Sequence, residues 1–305
     1  MTNHFTLSDA TFQSSKALCP WKDEGDEAYF ADVDGTQKAF EEYADLAKRQ
    51  VHFANGSFHI TVGPEGCGKT SLINRCAAHF RGVNNSASDQ EQATIIIDVS
   101  KDVPASVAVR DKAEEVWQIV LDDLADHVPT LTKVQVEAIT KEGISFSSSL
   151  RQLSRCLATN GSSLAIILPS IEIDKEVDAY FDLVKSNVAL FAETTDERVA
   201  EYCSRVYGSK SDATAQVMRL KPLSVDDGRT FVANRLTGRT DDCPNIDAKV
   251  IDQMMAMRVG KGTSTNIREL HLVCEAVYEN VLQKGKNAVL YEDFSDLYLM
   301  KAMYQ

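Results

Sequence analysis

The chain has 305 residues, a net charge of −13, and a composition that is 44% hydrophobic and 25% charged, ordinary for a globular protein and enough for about two domains. It has no apolar run long enough to cross a bilayer and no basic-then-apolar secretory signal at its N-terminus, and its acidity disfavours autonomous DNA binding without excluding a basic strip on an assembly. The seven cysteines are odd in number and include no C-x-x-C pair, which points to reduced thiols in a cytoplasm and away from a disulfide framework or a zinc site.

Residues 1–20 are polar and irregular and read as a flexible tail. The segment up to Asp34 is acidic and carries Tyr29, Phe30 and Val33. Gln37 to Val51 has helical spacing, with Ala39, Phe40, Tyr43, Leu46 and Ala47 on one face. Asn55-Gly56 turns into a short apolar strand, Phe58 to Val62.

That strand runs into Gly63-Pro64-Glu65-Gly66-Cys67-Gly68-Lys69-Thr70, a full match to the P-loop pattern G-x-x-x-x-G-K-[ST]. Ser71 follows, and an apolar periodic segment from Lys69 supplies the helix. The spacing has a chemical reason. Glycines at 63, 66 and 68 let the backbone take positive φ and approach a phosphate. Successive N–H groups then line a concave nest at a helix N-terminus. Lys69 reaches the β- and γ-phosphates of a nucleotide such as ATP or ADP, and the Thr70 hydroxyl ligates Mg²⁺. Cys67 has two readings: a thiol open to alkylation, or a small residue that fits the loop.

Strands are expected at Ala93–Val99, Leu164–Leu168, Val188–Ala192 and Ala215–Leu220. Helices are expected at Val103–Val128, Ser147–Thr159 (with a C-cap at Asn160-Gly161), Val177–Lys185 and Asp196–Tyr207, and residues 130–146 are ambiguous, with a short helix expected among them. The alternation predicts an α/β fold with a five-stranded parallel sheet covered by helices on both faces. From Leu223 the pattern is helical only: Val225–Leu236 capped by Ser224, Asp247–Val259, the amphipathic Thr265–Gln283, and Tyr291–Tyr304. The expected organisation is a tail over 1–20, a nucleotide domain over 21–222 and a four-helix lid over 223–305.

This order of parts resembles the AAA+ ATPases, in the branch holding origin-recognition-type proteins and transposition regulators. The STAND ATPases share a similar core. The resemblance covers residues 20 to 305. It implies a second-sensor role for Arg268, within Thr265-Asn266-Ile267-Arg268-Glu269-Leu270, reading the γ-phosphate through a forked cation; the plain alternative pairs Arg268 with Glu275 or a neighbour. It implies a first sensor at Thr194, where the alternative is a cap for the helix opening at Asp196. Arg205, with Arg198 as competitor, takes the place of an arginine finger offered to a neighbouring subunit. Tyr29 and Phe30 are candidates to cover the base, against a packing role.

The chain departs from the family after the strand Leu164–Leu168. An Asp-Glu pair is expected there to hold Mg²⁺ and polarise water, and this chain has Pro169-Ser170. Glu172 and Asp174 lie just beyond it, and Asp98 ends the second strand. Without a placed base, binding survives and turnover falls by orders of magnitude. Three functions follow. The first is an ATP-binding switch with weak or partner-dependent hydrolysis that assembles with itself or a partner protein. The second is a non-hydrolysing, ATP-bound adaptor. The third is a small-molecule kinase, which the C-terminal position of the helical module and the lack of a lid arginine cluster disfavour.

Overall fold

β-branched runs bounded by turns suit strands buried on both faces, and amphipathic segments between them suit right-handed crossovers. The computed structural model describes residues 3, 5, 17–48, 55–86, 94–104, 106–126, 133–141, 144–208, 214–237, 243–259 and 265–303. The chain clusters into two compact units. One is Ala39–Gly63 with Leu72–Arg219; the other is Met1–Lys38 with Pro64–Ser71 and Leu220–Gln305.

The first unit holds a sheet of β1 (Ser57–Val62), β2 (Thr94–Asp98), β3 (Ser163–Ile167), β4 (Val188–Thr194) and β5 (Thr214–Arg219). Every pairing is parallel and the order is β2-β3-β4-β1-β5. All residues of β1 and β3 are buried, as strands covered on both faces must be. Val62, the last residue of β1, lies opposite Thr194 on β4 and Arg219 on β5. The strand that feeds the P-loop is therefore flanked on both sides, and its C-terminal end belongs to the edge where open α/β sheets carry ligands.

One face of β1 is polar; at His59 and Ser57 the burial is compensated, whereas the Thr61 hydroxyl has no hydrogen-bond partner among the described residues. His59 Nε2 lies 2.9 Å from Ser57 Oγ, and Nδ1 lies 3.2 Å from Gln216 Oε1. The ring stacks on Phe191 with centroids 5.1 Å apart. Buried polar groups cost little when hydrogen-bonded in this way.

The helices in chain order are α1 (Thr36–Lys48), α2 (Lys69–Ser86), α3 (Lys112–Asp126), α4 (Lys133–Ile139), α5 (Phe146–Asn160), α6 (Asp174–Phe181) and α7 (Glu197–Tyr207). Trp117 of α3 and Leu153 and Leu157 of α5 join Ile97, Leu164 and Leu190 in the core. Gly161 closes α5 at φ 63°, the left-handed cap that glycine takes without a Cβ penalty.

The helix expected from Val103 starts later. Val107 N–H closes a turn on the Pro104 carbonyl at 3.1 Å, a single 3-10 turn follows over Val109–Asp111, and α3 opens at Lys112. Pro104 pushes the preceding Val103 out of the helical region, so the expected start at Val103 is not available.

The second unit carries α8 (Val225–Leu236), α9 (Ala248–Val259), α10 (Ile267–Gln283) and α11 (Tyr291–Met303). Ser224 accepts from Asp227 N–H, and the Asp227 carboxylate accepts from Ser224 N–H at 2.6 Å, which closes a reciprocal cap at the expected position. A two-residue parallel pair was not anticipated: Asn245–Ile246 against Ala288–Val289, here β6 and β7. The core gathers Phe231, Met255, Val273, Val277, Tyr278 and Phe294. Most of the expected flexible tail over residues 1–20 lies outside the described residues. Phe5, however, is fully buried in this core, 4.7 Å from Tyr278 between ring centroids, and so is built in. Residues 21–38 and the P-loop also cluster here rather than with the sheet.

Candidate functional site

The P-loop residues Pro64–Ser71 belong to the helical unit. Gly66 and Gly68 have φ of 75° and 86°, the left-handed conformation the motif requires. Gly63 does not share it. Its N–H donates to the Thr194 carbonyl at 3.3 Å and extends the β1–β4 ladder within the sheet unit. Gly66 has a second reason to be glycine: a Cβ there would lie 2.8 Å from Oδ1 of Asn266.

Lys69 is buried, and its ammonium donates to the Pro64 carbonyl at 2.9 Å across the loop. Thr70 and Ser71 open α2; Thr70 is exposed, and Ser71 Oγ accepts from the Leu18 N–H at 3.1 Å. Cys67 is buried, and burial pushes its thiol up to about 11. A buried thiol held protonated is a poor nucleophile, which favours the small-residue reading of Cys67.

The N-terminus of α10 sits against this loop. Asn266 caps the helix by accepting from Glu269 N–H at 2.8 Å. The next free donor, the backbone N–H of Arg268, bonds the Gly66 carbonyl at 3.1 Å. The Arg268 guanidinium lies 3.3 Å from the carboxylate of Glu65, not against Glu275. The sequence singled out Arg268 but missed Asn266. The Asn-x-x-Glu spacing at 266–269 is a cap signal that would have found it.

Asp34 was also missed. It is 4% exposed, has φ 52°, and its Oδ1 accepts from the N–H and the hydroxyl of Thr36. Oδ2 has no hydrogen-bond partner among the described residues. Burial raises the carboxyl to about 7, against the opposing Thr36 hydrogen bonds. Tyr29 and Phe30 are half-buried. The Arg235 guanidinium lies 4.9 Å from the centre of the Tyr29 ring, and Asn234 Nδ2 donates to the Phe30 carbonyl at 3.2 Å. The Tyr29 contact is one of packing; that of Phe30 is made by its main chain.

The remaining candidates lie in the sheet unit. Thr194 is fully buried, and its hydroxyl accepts from Asp196 N–H at 3.1 Å; it is therefore not a solvated cap, and the helix N-cap is Asp196. Asp196 caps α7 and also holds Arg198 in an ion pair at 2.6 Å. Arg205 is exposed, its guanidinium 5.8 Å from the Tyr202 ring centre, and the Tyr202 hydroxyl donates to Asp178 at 2.9 Å. Beyond β3, Leu168 N–H bonds Phe191 O at 2.7 Å and Ile171 N–H bonds Glu193 O at 2.8 Å. Pro169-Ser170 thus continues along β4 where the acid pair was expected. Glu172 and Asp174 are exposed, and the Glu172 N–H donates to Glu176 at 2.7 Å. Asp98 accepts from the Ser100 N–H and hydroxyl at 3.1 and 2.6 Å.

The donor set suits a phosphate chain: two glycines already in the left-handed region, a buried lysine and a forked cation beside the loop. For Mg²⁺, the hydroxyl the motif offers is that of Thr70; no group of three or more His, Cys, Asp or Glu side chains that could hold a metal occurs among the described residues. No described helix is long and apolar enough to cross a membrane.

No family model and no curated protein matches the sequence. Solved structures do match. The Aeropyrum pernix ORC2 protein, solved as ADPNP–ADP complexes, superposes with a TM-score of 0.57 at 12% identity, covering 84% of this chain and 65% of its own. This chain therefore spans just under two thirds of that protein's length. PCH-2 of C. elegans gives 0.52 at 13% identity over 95% of this chain and 73% of its own. CDC6P of Pyrobaculum aerophilum gives 0.51 at 10% identity over 88% and 69%. What is shared is the fold: a five-stranded parallel P-loop sheet flanked by helices, with a smaller C-terminal all-helical region.

Proposed function

We propose that this protein is an AAA+-like ATP-binding switch with weak or partner-dependent hydrolysis. The observation that carries the reading is the attachment of α10 to the P-loop through Arg268 N–H and the Gly66 carbonyl, at 3.1 Å. A ligand on the loop then acts on the helical unit directly, because any change in the loop's carbonyls is felt by the helix that bonds them. The loop N–H groups and Lys69 hold the phosphates of ATP or ADP, Thr70 ligates Mg²⁺, and Arg268 distinguishes the triphosphate. Differential contact with the terminal phosphate supplies the coupling free energy. The Aeropyrum ORC2 structures with ADPNP and ADP support a nucleotide ligand for this fold.

Slow turnover is proposed because Pro169-Ser170 stands where the acids would be and Glu172 is exposed beyond it. Glu172 acts as the residual base, Thr194 orients water, and Arg205 serves a neighbouring protomer. Self-association or a partner protein completes the machine; DNA contact belongs to such an assembly rather than to the lone acidic chain. The same missing acids favour the second reading, an ATP-bound adaptor that never hydrolyses. ATP turnover measured beside ATP binding, with mass by light scattering, separates the two. Slow turnover with ATP-dependent assembly supports the switch. No turnover at constant monomer mass supports the adaptor and removes Arg205 from the site.

A further inference from the structure

Arg268 has two attachments to the P-loop, and they differ in kind. Its backbone N–H, one of the unpaired donors of a helix first turn, bonds the Gly66 carbonyl at 3.1 Å. Asn266, which caps the same turn, lies against the space where a Gly66 side chain would be. These contacts use main chain and cap, so they fix the base of Arg268 beside the loop whatever its side chain does.

The side-chain attachment is looser. One guanidinium nitrogen lies 3.3 Å from Glu65 Oε1, with the arginine side chain 48% exposed and the glutamate 86% exposed. A single-point pair in water is weak. It leaves most of the five-donor fork uncommitted, and phosphate oxygens that carry more charge and accept in pairs are the stronger partner for it.

From this geometry we propose that Glu65 sets how well the loop distinguishes a nucleoside triphosphate from a diphosphate. Its carboxylate occupies Arg268 until a terminal phosphate competes for the guanidinium. A diphosphate on the same loop leaves the Glu65–Arg268 pair in place. A triphosphate gains Arg268 only by displacing Glu65, so the glutamate lowers triphosphate affinity selectively. Glu65 is thus a positioning residue acting through Arg268. The inference rests on the nucleotide-binding reading of the P-loop.

The readout is the ratio of ADP to ATP dissociation constants, obtained by titration calorimetry with Mg²⁺ on the full chain. The ratio cancels most of the general repulsion between the Glu65 charge and any phosphate. Glu65→Gln is expected to raise it about two- to fivefold, and Arg268→Ala to lower it. The double variant is expected to match Arg268→Ala alone, because the glutamate then has no arginine to hold. An equal rise from Glu65→Gln with and without Arg268 would make Glu65 a simple field effect and overturn the proposal. No rise in a chain whose ratio does respond to Arg268→Ala would overturn it too, as would a ratio indifferent to Arg268→Ala. Failure of the underlying reading looks different: nucleotide affinity then does not change on Lys69→Ala.

Discussion

The backbone N–H of Arg268 bonds the carbonyl of Gly66 at 3.1 Å across 202 residues of sequence, and this one bond joins the P-loop to the longest helix of the C-terminal region. A P-loop motif is legible in sequence alone. Here its conformation and the start of α10 are a single local structure.

Gly66 is the most exacting position in it. Alanine there must hold φ near 75° and place a Cβ 2.8 Å from the Asn266 side chain. Gly66→Ala is expected to destabilise the helical unit by about 1–3 kcal/mol and to weaken ATP binding about tenfold or more. Gly66→Ala combined with Asn266→Gly recovers the steric part only. Chemical denaturation and calorimetry on the same samples check both numbers.

Asp34 gives a pH signature. Its carboxyl titrates at about 7 in the fold against an ordinary 3.8, because burial outweighs the Thr36 hydrogen bonds. The folded state therefore holds the proton more tightly than the unfolded chain. That stabilisation is present below the unfolded value and is lost as pH rises through about 7. Asp34→Asn is expected to flatten the stability profile between about pH 4 and 7 and to leave the protein more stable above it, by up to a few kcal/mol. Urea melts across pH 4–8 test this; parallel profiles for variant and wild type would remove Asp34 from the account.

His271 acts with the opposite sign. It is buried on α10, with Nε2 lacking a partner among the described residues. Burial, and then the Arg235 charge, lower it from 6.5 to about 4. The unfolded chain protonates first, so stability is full above the unfolded value and is lost as pH falls from about 6.5 to 4. The loss is on the order of 3 kcal/mol. His271→Gln is expected to remove that acid limb. An unchanged acid limb in the variant would contradict it.

Turnover tests the end of β3. Installing acids with Pro169→Asp and Ser170→Glu is expected to raise ATP hydrolysis about 100-fold at unchanged ATP affinity. Glu172→Gln is expected to lower the residual rate without altering binding. Wild-type rates in both would return these positions to an ordinary surface loop.

The sheet was legible because its strands are short and β-branched: Ile95-Ile96-Ile97 and Leu164-Ala165-Ile166-Ile167 admit few other readings. The Ser224 cap and the Gly161 stop were legible because they are local chemistry, whereas the cap of α7 is Asp196 itself, which the sequence pattern places inside the helix. What the sequence hid is non-local or very short. The β6–β7 pair is two residues long on each side and is joined through Asn245 N–H and the Asn287 carbonyl, too short to carry a period. Asp34 sits in an acidic stretch that reads as solvated, and only the packed structure shows it buried. The partner of Arg268 lies 203 residues away at Glu65, beyond any local pattern. In the P-loop the motif gave the residue types, whereas the φ values showed that Gly66 and Gly68, but not Gly63, use their left-handed freedom.

The central claim is that Lys69 and Arg268 read one nucleotide from a single joined structure. Calorimetric titration of ATP and ADP into the wild type, Lys69→Ala and Arg268→Ala tests it most directly. The account predicts that Lys69→Ala weakens both nucleotides severely, while Arg268→Ala weakens ATP and leaves ADP nearly unchanged. Undiminished ATP affinity in Lys69→Ala, or equal loss of ATP and ADP in Arg268→Ala, would contradict it.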